Sequence, residues 1–166
     1  MRLAAIALLL TALALASVGG RAGAGTTASA CTSGIITYGG AQARSFCGPA
    51  KATVKVGTKT FKFTQGECLK GTDYVSVNIG IVVLGQSSKP KPNYFGMNIG
   101  RVAGSTDKPA KKDGKYKGGV LAIDYGGKGY LTRGDLLVTT LSGGRNKGVF
   151  TTKTFDGKPI SGTFTC

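Results

Sequence analysis

The 166-residue sequence contains no histidine and no tryptophan. Without histidine, no side chain has an ordinary pKa near neutrality. That removes the commonest general base, the Ser–His–Asp arrangement and most transition-metal sites. Acidic residues are scarce as well: Glu67, Asp73, Asp107, Asp113, Asp124, Asp135 and Asp156 are the only seven. Most stand beside glycine, lysine or predicted turns, where solvated carboxylates belong. A glycan-cleaving site would need two carboxylates brought together by folding. Asp124, inside an apolar run beside Tyr125, is the best single candidate, and its plainer reading is an edge or outward position on a strand. There is no phosphate-cradling Gly-rich loop, no calcium loop and no Asn-x-Ser/Thr acceptor. No Cys-x-x-Cys pair occurs, so neither a metal nor a cofactor is expected.

Long apolar runs are also missing, with one exception. Met1 and Arg2 precede Leu3 to Val18, sixteen uncharged residues interrupted only by Thr11 and Ser17. The run is short of the roughly 20 residues of a membrane span. It matches the charged start and apolar centre of a secretory signal peptide. Small residues suited to cleavage recur at Gly20 and Ala22, at Ala22 and Ala24, and at Ala28 and Ala30. The reading is a signal peptide and small-residue leader over 1–30 and one secreted domain over 31–166. Ala28-Ser29-Ala30-Cys31 also raises lipid anchoring through Cys31. The missing large apolar residue at position 28 disfavours it, and so does the odd cysteine it would leave.

All four cysteines, Cys31, Cys47, Cys68 and Cys166, follow the leader. An even count in an exported chain reads as two disulfides. Three connectivities are open, of which Cys31–Cys47 with Cys68–Cys166 is favoured. Arg2 and Arg21 precede Cys31, which leaves twenty cations against the seven acids and a net charge of +13 from residue 31 onward. Such a domain is drawn to anionic partners such as phosphate polymers, acidic glycans or an envelope surface.

After the leader no stretch repeats apolar residues at helical spacing, while period-two patterns are common. Thr53–Val56 and Thr60–Phe63 alternate around Gly57-Thr58 and predict a hairpin. Val54, Val56, Phe61 and Phe63 face its core, Lys55 and Lys62 face water, and Cys68 lies near the start of the next strand. Further strands are predicted at Tyr74–Leu84 with a bend at Gly80, Tyr94–Val102, Tyr116–Tyr125, Leu136–Leu141 and Gly148–Thr154. A final strand buries Ile160, Gly162, Phe164 and Cys166 on one face. Lys89-Pro90-Lys91-Pro92 is too poor in amide donors for a ladder. About eight strands predict an all-β, disulfide-stapled antiparallel β-sandwich of two packed sheets.

The candidate binding surface is a basic loop carrying Lys108, Lys111, Lys112, Lys115, Tyr116 and Lys117. Lysines there would hold polyanions through salt-sensitive contacts, and an exposed tyrosine would stack on bases or sugars. Lys55, Lys62 and Lys153, elsewhere in the chain, are the comparison set for a general charge effect.

Ala52-Thr53-Val54-Lys55-Val56-Gly57, Gly66-Glu67-Cys68, Val77-Asn78-Ile79-Gly80, Asn98-Ile99-Gly100, Lys112-Asp113-Gly114-Lys115-Tyr116-Lys117-Gly118 and the ending Ser161-Gly162-Thr163-Phe164-Thr165-Cys166 follow one another over residues 52–166. This series resembles the mycobacterial 19-kilodalton lipoprotein antigen family. The resemblance implies an exported, envelope-associated β-sandwich without enzyme activity and with Cys68 paired to Cys166. The chain departs from that family in its poor lipidation signal, the extra Cys47 and the strong basic balance. The expected function is a non-catalytic secreted or cell-surface module, an envelope antigen or scaffold domain. A polyanion-binding module and a carboxylate-based glycan-active enzyme are the alternatives.

Overall fold

The computed structural model describes residues 31–102 and 105–166. The expected signal peptide and its cleavage points lie outside the described residues. Among the described residues no helix is long and apolar enough to cross a membrane. Twelve strands dominate the described residues: β1 (Gly34–Tyr38), β2 (Ala41–Phe46), β3 (Ala50–Val56), β4 (Lys59–Lys70), β5 (Tyr74–Val83), β6 (Tyr94–Gly100), β7 (Gly114–Lys117), β8 (Val120–Tyr125), β9 (Lys128–Tyr130), β10 (Val138–Ser142), β11 (Lys147–Lys153) and β12 (Pro159–Thr165). Among the described residues a 3-10 turn covers Gly134–Leu136.

The all-β fold holds, but the two layers are not separate sheets. One hydrogen-bonded sheet runs β7-β10-β11-β12-β3-β4-β5-β6-β8-β9, and β2 joins β1 to β5 beside it. Every pairing between strands is antiparallel. The sheet doubles over at β4. Lys59 to Phe63 pair with β3, while Gly66 to Lys70 pair with β5. Between them the register shifts, and Gln65 takes a left-handed φ of 64°. A bulge of this kind bends a strand and carries it from one layer to the next. Cys68 therefore lies inside β4 rather than at the start of a following strand. β5 has its own corner at Gly80. It pairs with β4 up to Ile79 and with β2 from Gly80 onward. Gly80 has φ +90°, and a Cβ there would collide with the Asn93 carbonyl oxygen, so only glycine fits.

The first layer is β7-β10-β11-β12-β3 with the start of β4. The second is the end of β4 with β5, β6, β8 and β9. Alternation drives the packing: Val54, Phe61, Phe63, Phe150, Ile160 and Phe164 from the first layer meet Val75, Val77, Ile79, Phe95, Met97, Ile99 and Ile123 from the second. Phe95 and Phe150 have ring centroids 5.8 Å apart across the core, and Phe61 stacks on Tyr125 at 4.5 Å. Each such side chain contributes roughly 1.5–3 kcal/mol by leaving water.

Three expectations change in detail. The predicted Tyr116–Tyr125 strand is two strands, because Gly118 and Gly119 (φ +84° and +122°) turn the chain from β7 in one layer to β8 in the other. The predicted Leu136–Leu141 strand begins later, after the 3-10 turn. β1 and β2, an antiparallel hairpin around Gly39-Gly40, are two strands beyond those expected. The Gln86–Asn93 loop makes one isolated bridge, Lys91 to Gly127, and no ladder.

The favoured disulfides both form. Cys31–Cys47 ties the lead-in of β1 to the end of β2, with Cα atoms 5.7 Å apart. Cys68–Cys166 has Cα atoms 5.5 Å apart. β3 separates β4 from β12 along most of their length, and it begins only at Ala50. Beyond that point Cys68 and the chain end come together. Asn146 supports the closure by accepting from Lys70 Nζ (2.7 Å) and from the Cys166 backbone N–H (2.8 Å).

Candidate functional site

The basic loop is held firmly. Ala110 is fully buried; its N–H donates to the Asp73 carbonyl at 2.7 Å and its carbonyl accepts from Arg145 at 2.9 Å. The Asp113 carboxylate accepts from the backbone N–H groups of Gly144 (3.0 Å) and Arg145 (2.6 Å). Those two donors hold its pKa below the ordinary carboxylate value. Lys108, Lys111 and Lys112 are exposed on this frame and, with Pro109, Asp113, Lys115 and Tyr116, border a depression of about 540 Å³. Lys111 lies 3.6 Å from Asp73.

Tyr116 is not an exposed stacking residue. It points inward from β7, is 6% exposed, and donates its hydroxyl proton to the Lys112 carbonyl at 2.7 Å. Alternation along β7 explains the correction. With Lys115 and Lys117 outward, the residue between them must face the core.

Register places Lys115 and Lys117 on a much larger surface. The outer face of the first layer is a lattice of aligned residues. One row reads Lys117, Val138, Thr151, Ser161, Lys55, Thr60. The next reads Lys115, Thr140, Val149, Thr163, Thr53, Lys62. A third runs Ser142, Lys147, Thr165, Lys51. Lys153 stands at the far end of β11, opposite Pro159. No acidic residue occurs in any of these strand segments. The seven lysines surround a floor of threonine and serine in which Val149 is exposed. At a strand spacing of about 4.8 Å, Lys117 and Lys55 lie about 19 Å apart, and Lys115 and Lys62 about 24 Å.

Lys55, Lys62 and Lys153 are therefore not an unrelated comparison set. They share a face with Lys115 and Lys117. The alternation Lys51-x-Thr53-x-Lys55 and Lys147-x-Val149-x-Thr151-x-Lys153 is visible in the sequence. The strand order that lays these segments side by side is not.

No family model, curated protein or solved structure matches the chain.

Carboxylates are dispersed over the described surface. Asp124 faces outward from β8 and pairs with Lys91 at 3.3 Å. It borders a depression of about 450 Å³ with Lys89, Lys91 and Ser87, and no second carboxylate lines it. Nearby Tyr94 donates to Asn78 Oδ1 at 2.7 Å. Burial, with a smaller push from Asp124, raises its pKa to about 12, so the phenol stays protonated and acts as a donor. Asp135 pairs with Arg133 and Asp156 with Lys158, and each partner holds its carboxyl below the ordinary range. Among the described residues no three His, Cys, Asp or Glu side chains come together in a metal-holding group.

Proposed function

We propose that the protein is an exported, non-catalytic β module that holds anionic polymers against the outer face of its first layer. One observation carries this reading: seven lysines surround a hydroxyl-bearing sheet face that contains no acidic residue. Lysine heads supply point charges that track a polyanion without demanding one geometry. Serine and threonine hydroxyls between them can donate to sulfate, phosphate or uronate oxygens. A flat face of this width suits an extended chain of charges rather than a small molecule, which would be enclosed in a cleft. Acidic glycans and phosphate polymers of a cell envelope are the fitting class. Two disulfides support an oxidising destination. The Cys31 sulfur is bonded to Cys47, which leaves no thiol for lipid and favours a secreted or surface-held form without that anchor. The resemblance to the mycobacterial antigen family points to the same location.

Binding of residues 31–166 to heparin and to duplex DNA over a range of salt tests the reading. Replacing Lys55, Lys62 and Lys115 together with glutamine removes charges from both flanks of the face. For DNA, this should lower the slope of log affinity against log salt by about 2.7, at roughly 0.9 per contact. Replacing Lys89, Lys108 and Lys128, which lie off the face, should have a much smaller effect. Equal losses from the two triple variants would mean that net charge alone attracts the polymer, and the face would lose its role.

A further inference from the structure

A second surface stands at one end of the sandwich, where Lys153 at the margin of the lysine and threonine face accepts through its carbonyl from the Arg133 N–H at 2.8 Å. Leu131 is 76% exposed and Phe155 is 67% exposed. They lie on separate segments joined by a hydrogen bond from the Phe155 N–H to the Leu131 carbonyl at 3.1 Å. Leu136, also exposed, follows in the 3-10 turn. Phe155 sits on a braced turn. The Thr154 N–H donates to the Lys158 carbonyl, the Lys158 N–H to the Thr154 hydroxyl, and the Gly157 N–H to the Thr154 carbonyl, at 2.9, 2.9 and 3.0 Å. The fold thus presents a phenylalanine to solvent on a rigid support.

Cations surround this tip. Arg133 places its guanidinium 5.6 Å from the Phe155 ring centroid. Lys128 and Lys158 border Leu131 and Phe155 in one depression, and a neighbouring one adds Lys59. The carboxylates present, Asp135 and Asp156, are each paired with a cation of the same cluster. Four cations against two acids leave this end positively charged.

We infer that this end of the domain docks on an anionic lipid bilayer, with Leu131 and Phe155 entering the headgroup–acyl boundary and the surrounding lysines meeting lipid phosphates. Charge complementarity selects this occupant. Protruding apolar tips ringed by basic side chains suit an interface that is apolar beneath and anionic above. Lysine and arginine stems can lie along acyl chains while their heads stay in water. A second copy of the chain is a poor occupant, because it would bring the same positive charge to a positive surface.

The absence of tryptophan provides the test. In residues 31–166, Phe155→Trp installs a unique fluorophore at the tip, and Val120→Trp installs one at an exposed position on β8. With vesicles of equal parts phosphatidylglycerol and phosphatidylcholine, the emission of the Phe155→Trp variant should shift to the blue and be quenched by brominated acyl chains. Phosphatidylcholine alone should give neither effect, and Val120→Trp should give neither with any vesicle. Should Phe155→Trp fail to fold, Leu131→Trp reads the same contact. Leu131→Ser with Phe155→Ser should reduce co-sedimentation with the anionic vesicles at least tenfold while heparin affinity stays unchanged, which separates this surface from the polymer-binding face. Unquenched emission from both the Phe155→Trp and Leu131→Trp variants, equal quenching of Val120→Trp, or unaltered co-sedimentation of the serine variant would each overturn the inference. So would a blue shift without vesicles that grows with protein concentration, since it would make a second copy the occupant.

Discussion

Opening the Cys68–Cys166 bridge, by Cys68→Ser with Cys166→Ser, should cost far more stability than opening Cys31–Cys47 by the same exchange. The two bridges span 98 and 16 residues. Their loops do not overlap, so each constrains the unfolded chain independently. The loop-entropy relation gives about 4.7 kcal/mol for the first and about 3 kcal/mol for the second at 25 °C. Position in the fold widens the gap. Cys68–Cys166 joins the corner strand β4 to the chain end beyond β12, so both layers feel its loss. Cys31–Cys47 restrains a hairpin whose ladder to the rest of the sheet is the β2–β5 pairing from Ala43 to Phe46. That hairpin can fray without unfolding the core, and global unfolding should register less than the full loop term. Urea denaturation of residues 31–166, followed by circular dichroism, measures both. With a urea slope of about 2 kcal/mol per molar, the first variant should lose about 2 M in midpoint and the second about 1 M or less. A Cys31/Cys47 variant as damaged as the Cys68/Cys166 variant would refute the assignment of the long bridge as the principal staple. A midpoint change below about 0.5 M for Cys68/Cys166 would refute the loop-entropy argument itself.

The inward position of Tyr116 predicts that Tyr116→Leu lowers stability by about 2–3 kcal/mol, from lost ring packing and a stranded Lys112 carbonyl. Heparin affinity should not change, and a tenfold loss in a folded variant would restore a stacking role for the ring. Asp113 supplies a pH test. Its pKa is lowered in the fold, so its contribution is fully present above the ordinary value of 3.8 and is lost as pH falls through the lower folded value. The melting temperatures of the parent and Asp113→Asn should therefore differ most above about pH 5 and converge toward about pH 2. A gap that widens in acid would contradict the backbone hydrogen bonds assigned to the carboxylate.

Local rules carried much of the fold. The Val54/Val56 and Phe61/Phe63 hairpin, the buried Phe95, Met97 and Ile99 of β6 and the inward Ile160 and Phe164 of β12 follow from period-two alternation. The β1–β2 hairpin also had a local signal, since Gly39-Gly40 forms a two-residue turn between Ile35-Ile36-Thr37-Tyr38 and Ala41-Gln42-Ala43. Near that turn its buried residues are the small Ala41 and Ala43, and Ile35 is exposed, so the pattern there is faint. The break at Gly118-Gly119 was hidden because Tyr116 and Val120–Ile123 read as one apolar run. Separating them requires knowing that β7 and β8 belong to different layers.

The binding surface divides along the same line. Sequence by itself determined an all-β domain, its basic charge, the alternation that turns each lysine outward and the lack of histidine. These depend on composition and on neighbours two residues away. Tertiary structure alone decided which lysines share a surface, because strand order brings β7 and β3 onto one face although they are far apart in the chain. It also decided that Leu131 and Phe155 meet at one tip, and that Cys68 reaches Cys166 where β3 has not yet begun. Each is a contact between segments distant in the chain, fixed by the doubling of one sheet at the β4 bulge.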